Sequence, residues 1–388
     1  VDAIYLVRLI LRNAFRHRLR TFLTVLGIVI AVLAFGLLQT VVDAWYVGVE
    51  SSSSTRLVTR NSISLVFPLP LTYEQRIRQV DGVRLVSRAN WFGGVYIDKR
   101  NFFPQFAIDG DAYFKLYPEF RVPPDELKAF LLDRKGCIVG RKLAQTYGWK
   151  LGDAVPLRGT IFPGNWEFVI RGIYEGADAK TDESQFFLRW DYLNETMKII
   201  APRRANQVGI YLVGIANADT AAETSRRIDS LFRNSLAETL TETEKAFQLG
   251  FISMTESIVV AIRIVSFVII AIIMAVMANT MAMSARERLS EYATLKALGF
   301  SPGFVRGLVF GESLLIAVLG GTLGILATLP VVDAFGKVMV KLFPVFHQSF
   351  ETMALQVAAA LIVGVVAAIV PGMRAARVRI VEGLRAIG

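Results

Sequence analysis

Four stretches of this chain, residues 21–42, 264–285, 313–332 and 352–373, contain no Asp, Glu, Lys or Arg. Each has about the 20 apolar residues that a helix needs to cross hydrocarbon, so the pattern predicts four transmembrane helices. Between the second and third lies "RERLSEYATLKALGFSPGF", residues 286–304, too polar to enter a membrane and too regularly spaced for a casual loop. Leu289, Tyr292, Ala293 and the aliphatic stem of Lys296 share one helical face, while Arg286, Glu287, Arg288, Glu291 and Thr294 supply polar positions. Gly299 suits a helix stop, Ser301 an N-cap and Pro302 the first position of the next helix. A helix over 286–298 would be about 20 Å long, enough to dock on a partner. The segment reads as a helix held rigidly between two spans, or as a plain interfacial loop helix.

Lys and Arg set the expected orientation. Residues 1–20 carry five (Arg8, Arg12, Arg16, Arg18 and Arg20), and 286–306 carry four (Arg286, Arg288, Lys296 and Arg306). The tail carries Arg374, Arg377, Arg379 and Arg385, whereas 333–351 has only Lys337 and Lys341. The positive-inside rule puts both termini and 286–306 in the cytoplasm and 43–257 outside. The first span is longer than a signal core and lacks a small-x-small cleavage site after it, so it reads as an uncleaved anchor. Ahead of it, Arg8, Arg12, Arg16 and Arg20 recur every four residues opposite Ile4, Val7, Leu11, Ala14 and Phe15. That pattern fits an amphipathic helix on an anionic leaflet, or simply flanking charge.

Residues 43–257 read as globular α/β sequence. "SSSS" at 51–54 is a flexible exit; Thr72 with Gln75 starts a helix, and Asp81-Gly82 turns into an apolar strand. "NQVGIYLVGI" alternates like a strand, and "TAAETSRRIDSLFRNSL" has helical spacing. These pieces flank a β-rich middle of about 92–200, so the expectation is a split subdomain with an insertion. From Glu238 the chain turns helical, with Phe247, Phe251, Met254 and Ile258 on one face, and a continuous stalk into the second span is expected.

Composition agrees with a membrane protein: 53% of the 388 residues are hydrophobic and mean hydropathy is +0.46. The net charge of +10 collects beside the spans, which argues for topology rather than nucleic acid. Cys137 is the single cysteine, and His17 and His347 lie far apart, so neither a disulfide nor a metal site is expected. The external stretch has no GxSxG, HExxH or phosphate-cradling glycine motif. Asp109, Asp111, Asp178, Asp182 and Glu183 could pair for catalysis, but solvated surface is the simpler reading. The dense aromatics Trp91, Phe92, Phe102, Phe103, Phe106, Tyr113, Phe114 and Tyr117 are either a β-subdomain core or an apolar surface for a partner or amphiphilic cargo.

"ANTMAMSARERLSEYATLKALGFSPGFV" followed by "GLVFGESLLIAVLGGTLGILA" resembles the permease subunits of MacB/FtsX/LolC-type ABC systems, and more particularly MacB-like ones. The matching positions are Asn279, Arg286, Arg288, Glu291, Leu295, Ala297, Gly299, Ser301, Glu312, Gly320, Gly321 and Gly324. Tail positions Pro371, Ala375, Ala376, Glu382, Leu384 and Arg385 fit as well, as does "CIVGRKLAQTYGWKLGDAVPLRG" in the external domain. Tyr292 departs from the family's usual aliphatic residue.

The resemblance implies an α-helical membrane protein with four transmembrane helices plus a large α/β extracytoplasmic domain inserted between the first and second spans. Its parts would be residues 1–42, the domain and stalk 43–257, and an FtsX-like three-span domain 258–388 with a coupling helix at 286–298. It implies a bacterial inner-membrane permease, homodimeric or heterodimeric, seated on a separate ABC ATPase that binds ATP and Mg. A periplasmic adaptor and outer-membrane duct often complete such systems. No G-x-x-x-x-G-K-[ST] occurs, so no ATP hydrolysis by this chain alone is expected. The implied coupling residues are Arg286, Arg288, Glu291, Leu295, Lys296 and Gly299; the implied packing residues are Asn279, Glu312, Gly320, Gly321 and Gly324. Glu312 is expected to pair with Arg306 or Arg374. Function would be mechanically driven export or extraction; the alternatives are an FtsX-like activator of a cell-wall hydrolase and a lipoprotein-sorting permease.

Overall fold

The computed structural model describes residues 3–339, 343 and 345–380. Lys341, Glu382, Leu384 and Arg385 lie outside the described residues. The chain forms two units: Val1–Trp45, Glu256–Val338 and Phe346–Gly388 make the first, and Tyr46–Thr255 with Met339–Val345 the second. The helices in chain order begin with α1 (Ala3–Ala14), α2 (Arg18–Glu50), α3 (Tyr73–Arg78), α4 (Gly110–Leu116) and α5 (Pro124–Leu132). Then come α6 (Arg141–Tyr147), α7 (Trp190–Ile200), α8 (Ala221–Leu231) and α9 (Glu244–Ser253). The last are α10 (Glu256–Glu287), α11 (Leu289–Ala297), α12 (Pro302–Val338) and α13 (Phe350–Arg377).

In the first unit, α2, α10, α12 and α13 are 33, 32, 37 and 28 residues long and apolar enough to cross a membrane. Lipid offers no hydrophobic drive between such helices, so close backbone approach and interhelical hydrogen bonds decide how they pack. A Cβ at Gly320 would fall 2.7 Å from Ile28, and one at Gly324 2.8 Å from Val32, so α12 lies tight on α2 at these glycines. On its other flank Gly321 meets Ala360, and Gly364 of α13 meets Ala317. Polar side chains reinforce the bundle: Gln356 donates to the Val32 carbonyl at 2.8 Å, and Ser313 to the Gly364 carbonyl at 2.6 Å. Ser349 and Thr352 both donate to Asp43 at 2.7 Å.

The second unit is built on a ten-stranded mixed sheet. Its strands are β1 (Arg56–Asn61), β3 (Val83–Trp91), β4 (Gln105–Ile108), β5 (Phe120–Arg121), β6 (Gly136–Gly140), β7 (Ala154–Gly159), β8 (Gly164–Gly176), β9 (Phe186–Arg189), β11 (Ile210–Ile215) and β12 (Thr239–Thr243). Separately, β2 (Leu69–Pro70) pairs with β10 (Gln207–Val208). The order is β12-β1-β11-β3-β4-β9-β6-β8-β5, with β7 on β8; β4–β9 and β6–β8 are the parallel pairs. Strands from the two ends of the segment thus sit together at one side, and the middle stretch supplies the rest.

Alternate residues feed two cores. Leu57, Cys137, Val139, Phe186, Leu188, Tyr211 and Val213 enter one, and Val58, Ile138, Phe187 and Leu212 the other. A sheet covered on both faces reads as near-continuous apolar runs, which is why "CIV", "FFL" and "YLV" lack strict alternation. The Asp81-Gly82 turn is real: Gly82 has φ +91°, a conformation open to glycine, and β3 follows at once.

Two expected helices are divided. The continuous stalk is broken at Met254–Thr255, between α9 and α10. There Ser253 and Thr255 hydroxyls donate to the Gly250 and Ile252 carbonyls, local bonds that compete with a regular helix. The helix expected over 286–298 is also split: residues 286–287 finish α10, Arg288 is non-helical (φ −109°, ψ 15°), and α11 starts at Leu289.

The tight glycine contacts generate a test. Overpacking a fitted site costs about 1–3 kcal/mol. Gly320→Leu is expected to lower the thermal unfolding midpoint of the nanodisc-embedded protein clearly, and Val318→Leu, on the exposed side of the same helix, to leave it unchanged.

Candidate functional site

The charged residues at one end of the helix bundle form a single network around α11. Arg288 is only 7% exposed and Glu312 6%, and the Arg288 Nη1 donates to the Glu312 Oε2 at 2.9 Å. The Arg288 Nε donates to the Glu291 Oε2 at 2.9 Å, and its guanidinium lies 5.3 Å from the centre of the Tyr292 ring. Ser284 of α10 reaches Glu312 at 3.5 Å. The break at residue 288 is what permits this, because it turns the arginine inward beneath its own helix. Glu312 is therefore paired with Arg288, not with the expected Arg306 or Arg374. Arg306 is exposed one and a half turns earlier on α12, pointing away from the carboxylate's buried side.

Two further anchors come from the amino terminus. Arg20 forms a two-pronged pair with Glu287, both contacts 2.8 Å, and Arg16 pairs with Glu291. Arginines that read as topology signals are thus also clamps. The side of α1 that meets the bundle carries Ile10, against Gly311, and buried Ala14. Leu11 and Phe15 remain exposed, as an apolar face for lipid would require.

Beneath α11, Tyr292 and Ala293 are buried with Val305, Val309 and Ala375, and Leu295 packs partly against them. Lys296 donates to the Ala376 and Val378 carbonyls, both at 2.8 Å, capping the end of α13. A cation on unpaired C-terminal carbonyls also complements the helix dipole. Gly299 takes φ +92° and ends the segment. Tyr292, where an aliphatic residue was the expectation, provides a ring face for Arg288 as well as apolar bulk.

The electrostatics follow from this packing. Burial alone would lower Arg288, but Tyr292, Glu291 and Glu312 around it hold it above its ordinary value. Burial pushes the Tyr292 hydroxyl up to about 12, with Arg288 opposing the rise. Burial would raise Glu291, yet hydrogen bonds from Arg16 and Arg288 outweigh it and keep the carboxyl below its ordinary 4.5. Its contribution to stability is complete above pH 4.5 and is lost as the pH falls through that depressed value.

Of the sequence-predicted coupling residues, Arg288, Glu291, Leu295 and Lys296 are thus engaged within the chain. The outward side of the segment is formed instead by Thr294, Ala297, Leu298 (72% exposed) and Gly299; Arg286 is exposed at the end of α10, and Leu289 (37% exposed) lies on the face of Tyr292 and Ala293. Leu298 is not among the sequence-predicted positions; its place just before a glycine stop is the signal in the sequence for its exposure. Gly320, Gly321 and Gly324 pack within the bundle as described, whereas Asn279 is exposed on α10.

Elsewhere the candidate carboxylates have structural partners. Asp111 pairs with Lys115 at 2.8 Å, Asp182 accepts from Ser184, and Glu183 accepts from the Gly176 amide. Asp109 lies 3.8 Å from Arg88, and Asp178 accepts from the Lys180 amide. Among the described residues no group of His, Cys, Asp and Glu could hold a metal ion. Cys137 is fully buried, and burial raises its thiol well above the ordinary value.

Two family models match the chain: a MacB-like periplasmic core domain over residues 21–231, more than half of it, and an FtsX-like permease C-terminal domain over 263–380. An uncharacterized ABC transporter permease protein of Mycobacterium tuberculosis is 24% identical over 202 residues, 52% of this chain. The match spans only 22% of that curated relative's length. Among solved structures, the periplasmic region of MacB from Actinobacillus actinomycetemcomitans aligns with 52% of this chain and 95% of its own, at 10% identity and TM-score 0.38. The extracellular domain of the noncanonic ABC-type transporter YknZ from Gram-positive bacteria aligns with 48% and 100%, at 14% identity and TM-score 0.36.

The buried pair gives the second test. Removing one partner of a buried ion pair strands the other charge, at about 3–5 kcal/mol, whereas replacing both by apolar residues is often neutral. Arg288→Ala, which leaves buried Glu312 without its cation, is expected to destabilise the protein strongly, and Arg288→Met with Glu312→Leu to recover most of the loss, read by thermal unfolding in nanodiscs.

Proposed function

Because the chain belongs to the MacB/FtsX family of ABC transporter permeases, we propose that it transmits force from a separate ATPase subunit to an extracytoplasmic domain. The ATPase binds ATP and Mg and closes during its cycle. Helix α11 takes up that movement, and the α/β unit, inserted between the first and second spans, responds outside the membrane. The work done is export or extraction of an extracytoplasmic or membrane substrate. Both termini and α11 lie in the cytoplasm, as the distribution of Lys and Arg supports.

One observation carries this reading: α11 is fastened on its inner side by ion pairs and carbonyl caps, while Thr294 and Leu298, four residues apart on its outer side, are exposed. A loop helix serving only as a connection would need neither. Fastening at Arg288, Glu291 and Lys296 means that a push on the outer face displaces α1, α10, α12 and α13 together, because packed elements shift as bodies rather than deform. A second permease copy completes the assembly. The most apolar stretch of α10 is 22% buried against 39% for the other three helices, and exposed Asn279 lies further along the same helix. An amide facing lipid is costly, and a matching amide on a partner helix relieves that cost.

The test uses the open face and spares the anchors. Thr294→Asp with Leu298→Asp is expected to leave membrane insertion and thermal stability intact while reducing co-purification with the cognate ATPase by tenfold or more. An apolar contact of this kind carries at least about 1.4 kcal/mol. Full recruitment and full ATP turnover by the double variant would refute the reading.

A further inference from the structure

The α/β unit contains a cavity of about 1,020 Å³, at the upper end of the 300–1,000 Å³ usual for small-molecule sites. It opens between β3, β4 and β11, the loop after β1, the β7–β8 turn and α9. Trp91, Phe106, Ile161, Phe247 and Phe251 make its walls. Val66 (85% exposed) and Trp91 (40% exposed) stand at its opening, beside exposed Ile63 and Phe67 of the same loop. A soluble surface seldom leaves so much contiguous apolar side chain uncovered without a use for it. Trp91 and Phe106 hold each other edge to face at 5.2 Å, so the wall is preformed and need not collapse to bind.

One charge faces this surface. Arg204 is the sole charged side chain of the lining. Among the described residues no carboxylate pairs with it; it donates from Nη1 to the Ile161 carbonyl, leaving further N–H groups. The buried arginines of the unit are neutralised, Arg56 by Glu119 and Glu244 and the largely buried Arg88 by Glu74. An apolar cleft with one uncompensated guanidinium and neutral amides from Asn90, Gln207 and Gln248 matches a molecule with a long alkyl part and one acidic head.

We propose that this cavity binds a single-chain anionic amphiphile, its alkyl chain along Trp91, Phe106 and Phe247 and its head on Arg204. The binding assignment stands on the cavity's chemistry; that the amphiphile is the cargo rests on the permease reading above. Alkyl phosphates serve as the probe. Each buried methylene multiplies affinity by about four, so dodecyl phosphate is expected to bind about fifteen times more tightly than decyl phosphate, referred to free aqueous concentration.

The experiment uses the full chain in lipid nanodiscs with dodecyl phosphate carrying a photoreactive group at its chain end. Peptides are then mapped by mass spectrometry. The expected result is labelling at residues 63–68, 91, 106 and 247–251, competed by dodecyl phosphate and only weakly by dodecyltrimethylammonium. Arg204→Glu should weaken dodecyl phosphate at least about tenfold and leave dodecyl maltoside unchanged. Val66→Asp, at an exposed loop position that does not threaten the fold, should weaken both. Labelling confined to the four membrane helices, or insensitivity to Arg204→Glu, would overturn the proposal. So would cross-links from this opening to a second copy, since the opening would then be a subunit contact. No ATPase is present, so a cavity that takes no amphiphile leaves the coupling reading standing, and an uncoupled permease that binds the probe leaves the cavity standing.

Discussion

The Arg288–Glu312 pair sits where the bundle's polar end meets its apolar interior, and the arrangement of the whole segment around α11 follows from it. A carboxylate on α12 at that depth is costly unless a cation reaches it, and Arg288 reaches it only because the chain leaves helical geometry for one residue. That departure separates α10 from α11 and turns α11 across the bundle end. Glu291 is then brought to Arg16, Tyr292 and Ala293 are turned inward, and Lys296 is left over the carbonyls of α13. Four helices and the amino-terminal turn are joined through side chains within one short segment.

Such fastening has a mechanical consequence. A helix tied through flexible lysines on a solvated surface would yield before transmitting a displacement. Here the ties are the buried Arg288–Glu312 pair, the Arg16–Glu291 pair, the Lys296 caps and a buried apolar cluster, in which a gap of about 0.5–1 Å already forfeits about a quarter to a half of a packing contact. The small residues of α12 extend the same stiffness, because a helix seated against α2 at Gly320 and Gly324 has little room to slide. On the proposed reading, a displacement of α11 is shared by the bundle rather than absorbed at a joint, while the turn at Met254–Thr255 interrupts the chain locally between α9 and α10.

Much of this was legible in the sequence, for reasons tied to particular residues. Runs without charge gave the four long helices, since nothing but burial or lipid accommodates them. Gly299 and Pro302 fixed the end of α11 and the start of α12, because backbone conformation at glycine and proline is a local property. Glu312 announced that it needed a partner. Which partner was not legible: the answer depended on one non-helical residue at 288, and both 286–298 as a single helix and Arg306 as the cation were reasonable from spacing alone. The aromatics divided similarly. Phe92, Phe103, Tyr113, Phe114 and Tyr117 are core, while Trp91 and Phe102 are exposed, and only the fold determines on which side of a strand or loop each one falls. Arg204 carried no signal at all, since its meaning comes from lacking a carboxylate partner among the described residues and facing an apolar cavity built from six segments of the chain.

The central claim is that α11 and the amino-terminal turn move as one body throughout the ATP cycle. Cysteines replacing Arg16 and Glu291, on a Cys137→Ser background, can be joined by a flexible bis-maleimide, with the unlinked double variant as reference. Substrate-stimulated ATP turnover of the reconstituted permease–ATPase complex is then compared before and after linking. The account predicts that turnover is retained, because the link only repeats a connection that never opens. Loss of turnover on linking would show that α11 works by swinging away from the amino-terminal turn, and would contradict it.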